Sequence, residues 1–355
     1  MSKVEVCKKK NKILHVFKSR IYAGAEAVAI QIINFMSDKY EIAYCCPEGP
    51  IIEKLNKESI TYYSIHNLNY AELRKIIKAF SPDIIHAHDF TASILCALFS
   101  GKYKVISHIH HNSDWIKYWN VRSFLYRGGI NRFSKILLVS YEIKKEAIFF
   151  KQISNQVEII GNPIDVKKIT TLANSAVDVE NYDVVFIGRL VKEKDPLRFI
   201  DIINMVRKTE SSIKAAIIGD GELYTECVNK IRDLGLSNNI NLLGFKENPY
   251  GLLRQSRVLC VTSKWEGFGL VASEAKALAT PVLLTPVGGL MELFNPNADE
   301  YCRSNEEFSE KIKMLLDNSN YESWHKRAIK NTEHVDNVRE YMDRIENLYK
   351  EIVIK

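Results

Sequence analysis

Short apolar runs alternate along this chain with longer stretches in which apolar residues recur every three or four positions. ILHVF (13–17), EIAYC (41–45), DIIHAH (83–88), KVISHIH (104–110), KILLVS (135–140) and VEII (157–160) have the length and β-branched content of strands. Between them Ala25–Ser37, Tyr70–Phe80, Thr91–Phe99 and Tyr141–Phe150 read as helices. Strands that are apolar throughout, alternating with helices, imply parallel sheets covered on both faces. The rhythm fades after Asn162-Pro163 through TTLANSAVDVENY, a polar stretch that suits a linker, and then restarts. DVVFIG (183–188), KAAIIG (214–219), INLLGF (240–245), RVLCV (257–261) and PVLLT (281–285) form the second set of strands. Glu322 to Lys355 is helical and charged, with no strand between its pieces. The pattern predicts an α/β chain of two doubly wound domains, residues 1–164 and 182–333, facing each other across a cleft. Residues 334–355 are expected to form a terminal helix that returns to the first domain. Ligands of such sheets sit at the carboxyl ends of the strands, so the cleft is the expected active site.

Composition narrows this reading only a little. A chain of 355 residues has the length of about two domains, and 46% apolar with 26% charged residues is a globular balance. Only the run Ile13–Phe17 follows the lysine-rich start, too short for a signal peptide, and no run approaches a membrane span. Seven scattered cysteines, with one adjacent pair at Cys45 and Cys46, suggest reduced thiols in a cytosol. The expected location is therefore cytoplasmic, soluble or peripheral on a membrane. The net charge of +6 is uneven, since residues 1–165 carry 23 basic against 15 acidic residues and residues 166–355 carry 26 against 28. A basic first half suits an anionic partner such as a membrane surface, and serves solubility equally well. Lys117 to Lys135 sharpens the first alternative: five basic residues and no acid are interleaved with Trp119, Phe124, Leu125, Tyr126 and Phe133. That mixture suits a helix lying on anionic lipid, although the same aromatics can pack on the domain. No nucleic-acid motif accompanies it, and no nucleic-acid partner is expected.

The most informative stretch is WEGFGLVASEAKALATPVLLT (265–285). Glu266 and Glu274 stand on either side of the start of a helix that follows the loop Gly267-Phe268-Gly269. Glycines let a backbone approach a ligand closely, and a helix start presents free N–H groups to an anion. A carboxylate only accepts hydrogen bonds, so the two glutamates suit hydroxyls rather than phosphate. The plain alternative is that both are solvated acids near a helix N-terminus, where acids are favoured in any case. Upstream, FIGRLVKEKDP places Arg189 just after a strand and Lys194 ahead of a helix that opens at Pro196. An arginine and a lysine at the carboxyl end of a strand suit a diphosphate. Glu193 and Asp195 beside them leave surface solubility as the competing explanation.

These segments resemble a known family. GRLVKEK, followed by GDGEL, GF, EGFGLVASEA and VGGLMELF, is similar to the glycosyltransferase family 4 type, and the resemblance covers nearly the whole chain. There is no GxGxxG and no P-loop. The resemblance implies the GT-B architecture of two Rossmann-like domains and assigns roles residue by residue. Arg189 and Lys194 match the cations that neutralise the donor diphosphate, and Glu266 the acid that holds hydroxyls of the transferred sugar. Phe268, Gly269 and Leu270 match the backbone that meets the distal phosphate and sugar, and Glu274 the acid that grips the ribose. Gly219-Asp220-Gly221, Phe245 and Lys246 match loops lining the nucleoside, although the first is equally a strand-to-helix turn. Gly288 and Gly289 look like a second tight turn, with Glu292 structural.

In the first half, Tyr22-Ala23-Gly24-Ala25-Glu26 resembles the family's GGxE loop, with Ala23 in place of its first glycine. Gly24 is thereby implied in donor binding, while Glu26 reads as a helix-start acid rather than a base. His86, His88, His108, His110 and His111 place alternate imidazoles on one face of strands, which raises a metal site. No cysteine or carboxylate pattern completes a ligand set, and the resembled family works without a metal, so no cofactor is expected. In register with the family, His110 is the histidine that touches the donor sugar, with His111 as the fallback. The resemblance thus implies a retaining transfer from a nucleotide-diphosphate sugar, UDP-sugar being the expected donor class. The acceptor is a glycan or a lipid-linked molecule in cell-surface polysaccharide synthesis. A nucleotide-sugar epimerase on the same architecture, and a non-catalytic nucleotide-sugar-binding subunit, are the rival readings.

Overall fold

The computed structural model describes residues 10–150, 156–176, 180–332 and 335–354. The first nine residues, Cys7 among them, and part of the expected linker lie outside these. The chain divides into two compact units, Met1–Asn162 with Arg339–Lys355, and Pro163–Val338.

The first unit contains β1 (Lys12–Val16), β2 (Glu41–Pro47), β3 (Tyr62–Ile65), β4 (Ile84–His88), β5 (Lys104–Ile109), β6 (Lys135–Leu138) and β7 (Val157–Ile159). They form one parallel sheet in the order β3-β2-β1-β4-β5-β6-β7. The second unit contains β8 (Val184–Ile187), β9 (Ala215–Ile218), β10 (Ile240–Gly244), β11 (Val258–Val261) and β12 (Val282–Leu284), also all parallel, in the order β10-β9-β8-β11-β12. The hydrophobic pattern misses β3. YYSI is an edge strand with one neighbour, so it needs no continuous apolar run and offers none.

Side chains alternate across each strand, and both faces of the second sheet are covered accordingly. Val184, Phe186, Ala215, Ile217, Val258 and Cys260 pack on one face with Phe199 and Ile203 of the helix Pro196–Arg207. Val185, Ala216, Leu259 and Val261 pack on the other with Ala272 and Ala275 of the helix Leu270–Ala277. Each large apolar side chain buried in this way stabilises the unit by roughly 1.5–3 kcal/mol. The expected linker is shorter than its polarity suggests. A helix occupies Val166–Asn174, capped by Asp165 accepting from the Lys168 amide at 2.8 Å, and it buries Ile169 and Ala173 in the second face. Two apolar residues four apart are enough to seat one face of a helix.

The helix Val338–Ile354 buries Tyr341, Met342, Ile345, Tyr349 and Ile352. Its Glu346 accepts from Lys39 at 2.6 Å, joining the end of the chain to the first unit. The six described cysteines are buried and free, and Cys45 and Cys46, adjacent on β2, point to opposite faces. Among the described residues no helix is long and apolar enough to cross a membrane. In each sheet the strand order reverses beside the unit's first strand, between β1 and β4 and between β8 and β11. Crevices at such reversals, outside the carboxyl ends of the strands, are where open α/β sheets bind ligands.

Candidate active site

In the second unit the loops that leave β8 and β11 carry most of the residues singled out in the sequence. The loop after β8 is held backbone to backbone. A Cβ on Gly219 would stand 1.9 Å from the Gly188 carbonyl oxygen, and one on Gly221 would stand 2.5 Å from that of Leu190. The Leu190 amide donates to Asp220 at 2.8 Å, and the Leu223 amide donates back to Leu190 at 2.9 Å. The GDG glycines therefore let one loop lie directly on the other, which fixes the place of Arg189. Arg189 itself is exposed, and its side chain makes no hydrogen bond or ion pair among the described residues.

Further along, the β8 loop is stitched to the β11 loop. Thr262 Oγ1 donates to the carbonyls of Lys194 and Asp195 at 3.2 and 3.0 Å, and the Lys264 amide donates to Glu193 at 2.8 Å. Lys264 Nζ pairs with Asp195 at 3.2 Å, so Asp195 neutralises a neighbouring loop as well as capping the helix Pro196–Arg207. These ties bring Lys194 onto Glu266. Its Nζ pairs directly with Glu266 Oε1, which also accepts from Ser263 Oγ at 2.8 Å. Glu266 is buried, while Lys194 keeps about a quarter of its side chain exposed (24%). Glu266 is not a solvated helix-start acid.

The glycine loop is equally constrained. Gly269 has φ 91°, a left-handed conformation that favours glycine, and a Cβ there would stand 2.3 Å from Leu290 Cδ2. The Gly289 amide donates to the Glu266 carbonyl at 3.0 Å, and a Cβ on Gly289 would stand 2.2 Å from the Gly267 carbonyl oxygen. The turn at Gly288 and Gly289 thus backs the loop that presents the helix Leu270–Ala277. Phe268 and Leu270 are partly buried against the core below. Glu274 on that helix accepts from Tyr250 Oη at 2.9 Å, and burial pushes its carboxyl up to about 7. Phe245 and Lys246 follow β10, two strands from β8, and both are exposed.

In the first unit, Gly24 opens the helix Gly24–Met36 after the β1 loop. The Ala23 amide donates to Glu26 Oε2 at 3.1 Å, so buried Glu26 caps its own helix, as an acid at a helix start does. Burial pushes its carboxyl up to about 7, and the charge of Asp89 adds to the effect. His110 lies just past β5, 8% exposed, and burial lowers it to about 4. Its amide donates to Asp89 Oδ1 at 3.2 Å, and Asp89 also pairs with His111 Nδ1 at 2.9 Å. His86 and His88 are buried in the sheet face. Ring nitrogens of His15, His86 and His88, and of His88, His108 and His110, gather within 4.8 Å of one another.

An exposed arginine, a lysine and the amides of a helix start suit an anion, with the buried carboxylate of Glu266 and the half-buried one of Glu274 to accept from hydroxyls. The chain also has recognisable relatives. Residues 22–168 match the family model described as Glycosyltransferase Family 4, and residues 167–335 match that described as Glycosyl transferases group 1. The uncharacterized glycosyltransferase MJ1178 of Methanocaldococcus jannaschii is 30% identical over 257 residues, 69% of this chain and 68% of that protein. The chain belongs to the family 4 glycosyltransferases. Another relative of this glycosyltransferase is the GalNAc-alpha-(1->4)-GalNAc-alpha-(1->3)-diNAcBac-PP-undecaprenol alpha-1,4-N-acetyl-D-galactosaminyltransferase of Campylobacter jejuni, 23% identical over 87% of this chain and 90% of that one. Among solved structures, Anabaena Alr3699/HepE in complex with UDP and glucose shares the GT-B fold at a TM-score of 0.82, 21% identical over 96% of this chain and all of that one (100%).

The sequence singles out Arg189, Lys194, Glu266 and Glu274 but does not show what holds them. Ser263 stands three residues before Glu266, a spacing that is a weak signal of contact. Nothing in the sequence of this glycosyltransferase marks Tyr250 as the donor to Glu274, or Thr262 as the tie between two loops.

Proposed function

We propose that this family 4 glycosyltransferase moves the sugar of a UDP-sugar, with retention and without a divalent ion, onto a glycan or lipid-linked acceptor of polysaccharide synthesis. The observation that carries the reading is the meeting of Lys194 with Glu266 beside exposed Arg189, at the carboxyl ends of the two strands flanking the reversal. In this reading Arg189, Lys194 and the amides after Gly269 stabilise the negative charge of the departing diphosphate, a task that a metal ion performs in other enzymes. The acceptor hydroxyl attacks on the face the diphosphate leaves, and the departing phosphate takes its proton. UDP held by the Anabaena neighbour supports the nucleotide, and the undecaprenol-linked substrate in the Campylobacter relative's name supports the acceptor class. His110 and Gly24 are assigned to the donor sugar and its diphosphate, and Phe245 with Lys246 to the nucleoside.

The two glutamates test this division. Glu274→Gln is expected to weaken UDP and intact donor alike, because ribose is present in both. Glu266→Gln is expected to spare UDP affinity and to lower turnover, because its contact exists only while the sugar is present. Titration calorimetry with UDP beside steady-state kinetics reads both. Equal loss of UDP affinity in the two variants would sink the assignment.

A peripheral position on anionic membrane belongs to the same proposal. Tyr126 and Phe133 are buried, but Tyr118, Trp119, Val121, Phe124 and Leu125 are exposed on and before the helix Val121–Gly129. Arg122 and Arg132 are exposed among them, whereas Lys135 is paired with Glu158 at 2.9 Å. Aromatics beside cations suit the headgroup layer. Sedimentation with phosphatidylglycerol vesicles is expected to carry the protein down, less so at 0.5 M salt, and Phe124→Ser with Leu125→Ser to release it. Equal retention on neutral vesicles, or none on either, counts against the surface.

A further inference from the structure

Phe245 and Lys246 open a loop whose far end closes on Glu274. At its near end β10 slips register between Leu242 and Gly244, and Gly244 turns with φ 67° while its carbonyl accepts from the Gly219 amide at 2.8 Å. At its far end Asn248 Nδ2 donates to the Leu172 carbonyl at 2.9 Å, which seats the loop on the helix Val166–Asn174. Asn248 Oδ1 accepts from the Tyr250 amide at 3.2 Å, a turn of the kind asparagine favours, and Tyr250 opens the helix Tyr250–Gln255. That helix is tied in turn to the one carrying Glu274. Leu253 is buried in the same core as Ala272 and Ala275, and its carbonyl accepts from Thr280 Oγ1 at 3.1 Å.

Tyr250 packs its ring on this core, where a phenylalanine would serve as well. Its hydroxyl has a separate use. It donates to Glu274 Oε1 at 2.9 Å, since a carboxylate only accepts. Among the described residues no cation pairs with Glu274, and its other oxygen makes no hydrogen bond. A half-buried carboxylate with one oxygen pinned and the other unmet is incomplete until a second donor arrives. Hydroxyls have a hydrogen to give, whereas phosphate oxygens and carbonyls do not. A glutamate side chain turns about three bonds, so a hydrogen bond at one oxygen decides where the other lies.

We propose that Tyr250 is a positioning residue for the nucleotide ribose. Its hydroxyl pins one oxygen of Glu274 so that the carboxylate meets the ribose hydroxyls in a single orientation, and the site thereby separates a ribonucleotide donor from its 2′-deoxy counterpart. The contact of Glu274 with ribose rests on the proposed function above; the tie between Tyr250 and Glu274 does not. Because the loop of Phe245 and Lys246 runs into Tyr250, the same hydroxyl joins the loop assigned to the nucleoside to the acid assigned to its sugar.

Titration of the full chain with UDP and with 2′-deoxy-UDP reads this without acceptor or transferred sugar. Wild type is expected to bind UDP roughly 10–100-fold more tightly, because a site built to accept from a hydroxyl is left unpaired by the analogue that lacks it. Tyr250→Phe keeps the ring in the core and removes only the hydroxyl. It is expected to weaken UDP about 3–10-fold and 2′-deoxy-UDP less, so that the preference narrows. In steady-state kinetics the loss is expected in KM for the donor and not in kcat, since ribose is held alike before and during transfer. Glu274→Ala removes the group through which Tyr250 acts, so Tyr250→Phe added to it is expected to cost no further UDP affinity. An equal loss from Tyr250→Phe in both backgrounds means a packing role and overturns the inference while the proposed function stands. A wild type that binds the two nucleotides alike, or a Tyr250→Phe protein with an unchanged preference, overturns it as well. Glu274→Ala with wild-type UDP affinity is the failure of the ribose assignment itself and removes both. A ribose preference found with GDP or ADP in place of UDP, and lost in the same cycle, corrects the base and keeps Tyr250 in its role. The wild-type and Tyr250→Phe titrations decide even where Glu274→Ala does not fold.

Discussion

Arg189→Ala is expected to lower turnover by roughly 10²–10³ while leaving thermal stability unchanged, the effect of removing one preorganised contact to developing negative charge. Its side chain is exposed and makes no hydrogen bond or ion pair among the described residues, so the fold does not depend on it. Lys194→Ala is expected to lose turnover to a similar degree but to lose stability too. The substitution leaves Glu266, buried and hydrogen-bonded to Ser263, without its cation. Breaking a buried pair leaves an uncompensated charge. With Lys194 a quarter exposed, the loss is about 2 kcal/mol, or roughly 4–8 °C in Tm for a unit of this size. Lys194→Ala combined with Glu266→Gln is expected to recover most of that Tm and none of the turnover. Kinetics beside calorimetric melting separate the variants. Near-wild-type turnover in a folded Arg189→Ala protein removes the cationic-pair assignment.

The largest effect on stability is expected from acid, and in the first unit. Burial lowers His15 to about 3 and His110 to about 4, and holds His86, His88 and His108 well below the ordinary histidine value of 6.5. A histidine depressed in the fold costs stability as pH falls below 6.5, because the unfolded chain takes protons that the folded unit refuses. Each pH unit costs about 1.4 kcal/mol per neutral ring, so His15 and His110 alone lose roughly 5 kcal/mol by pH 4.5. Glu26 acts in the opposite sense. Raised to about 7, it takes a proton on folding between pH 7 and 4.5 and returns roughly 3 kcal/mol. For Asp89, burial alone would raise the carboxyl, but His111 and His110 hold it below 3.8, so it adds loss only at lower pH. Five histidines outweigh one glutamate. In the second unit Glu274, raised to about 7, gains stability on acidification. Limited proteolysis from pH 7 to pH 4.5 is expected to cut the first unit while residues of the second persist. Loss of the second unit first, or a flat profile, contradicts the neutral histidine cluster.

Much of the fold is legible in the sequence because parallel strands buried on both faces must be apolar throughout. DVVFIG, KAAIIG and RVLCV announce themselves, whereas the edge strand YYSI does not. The helix Val166–Asn174 hides in a polar stretch because two buried residues suffice to seat it. Arg189, Lys194, Glu266 and Glu274 stand out in the sequence because charges gather around glycines at strand ends and helix starts, where anions and hydroxyls can be held. Their pairing does not. Lys194 and Glu266 are far apart in the chain and meet because β11 lies beside β8, a neighbour relation that no local pattern encodes. Register likewise joins His15 to His86 and His88 to His108, turning HAH and HIH from separate motifs into one cluster. Ala23, a departure from the family's loop, still leaves Gly24 opening the helix and Glu26 capping it.

The most direct measurement is UDP release from a panel of UDP-sugars in excess EDTA, with and without an undecaprenyl-diphosphate-linked saccharide, and with the anomeric configuration of the product read by NMR. The expected result is release from one donor that depends on acceptor, survives the chelator, and yields a product with the donor's own anomeric configuration. Conversion of the donor without acceptor, inversion in the product, or tight UDP binding with no release for any donor and acceptor would contradict it.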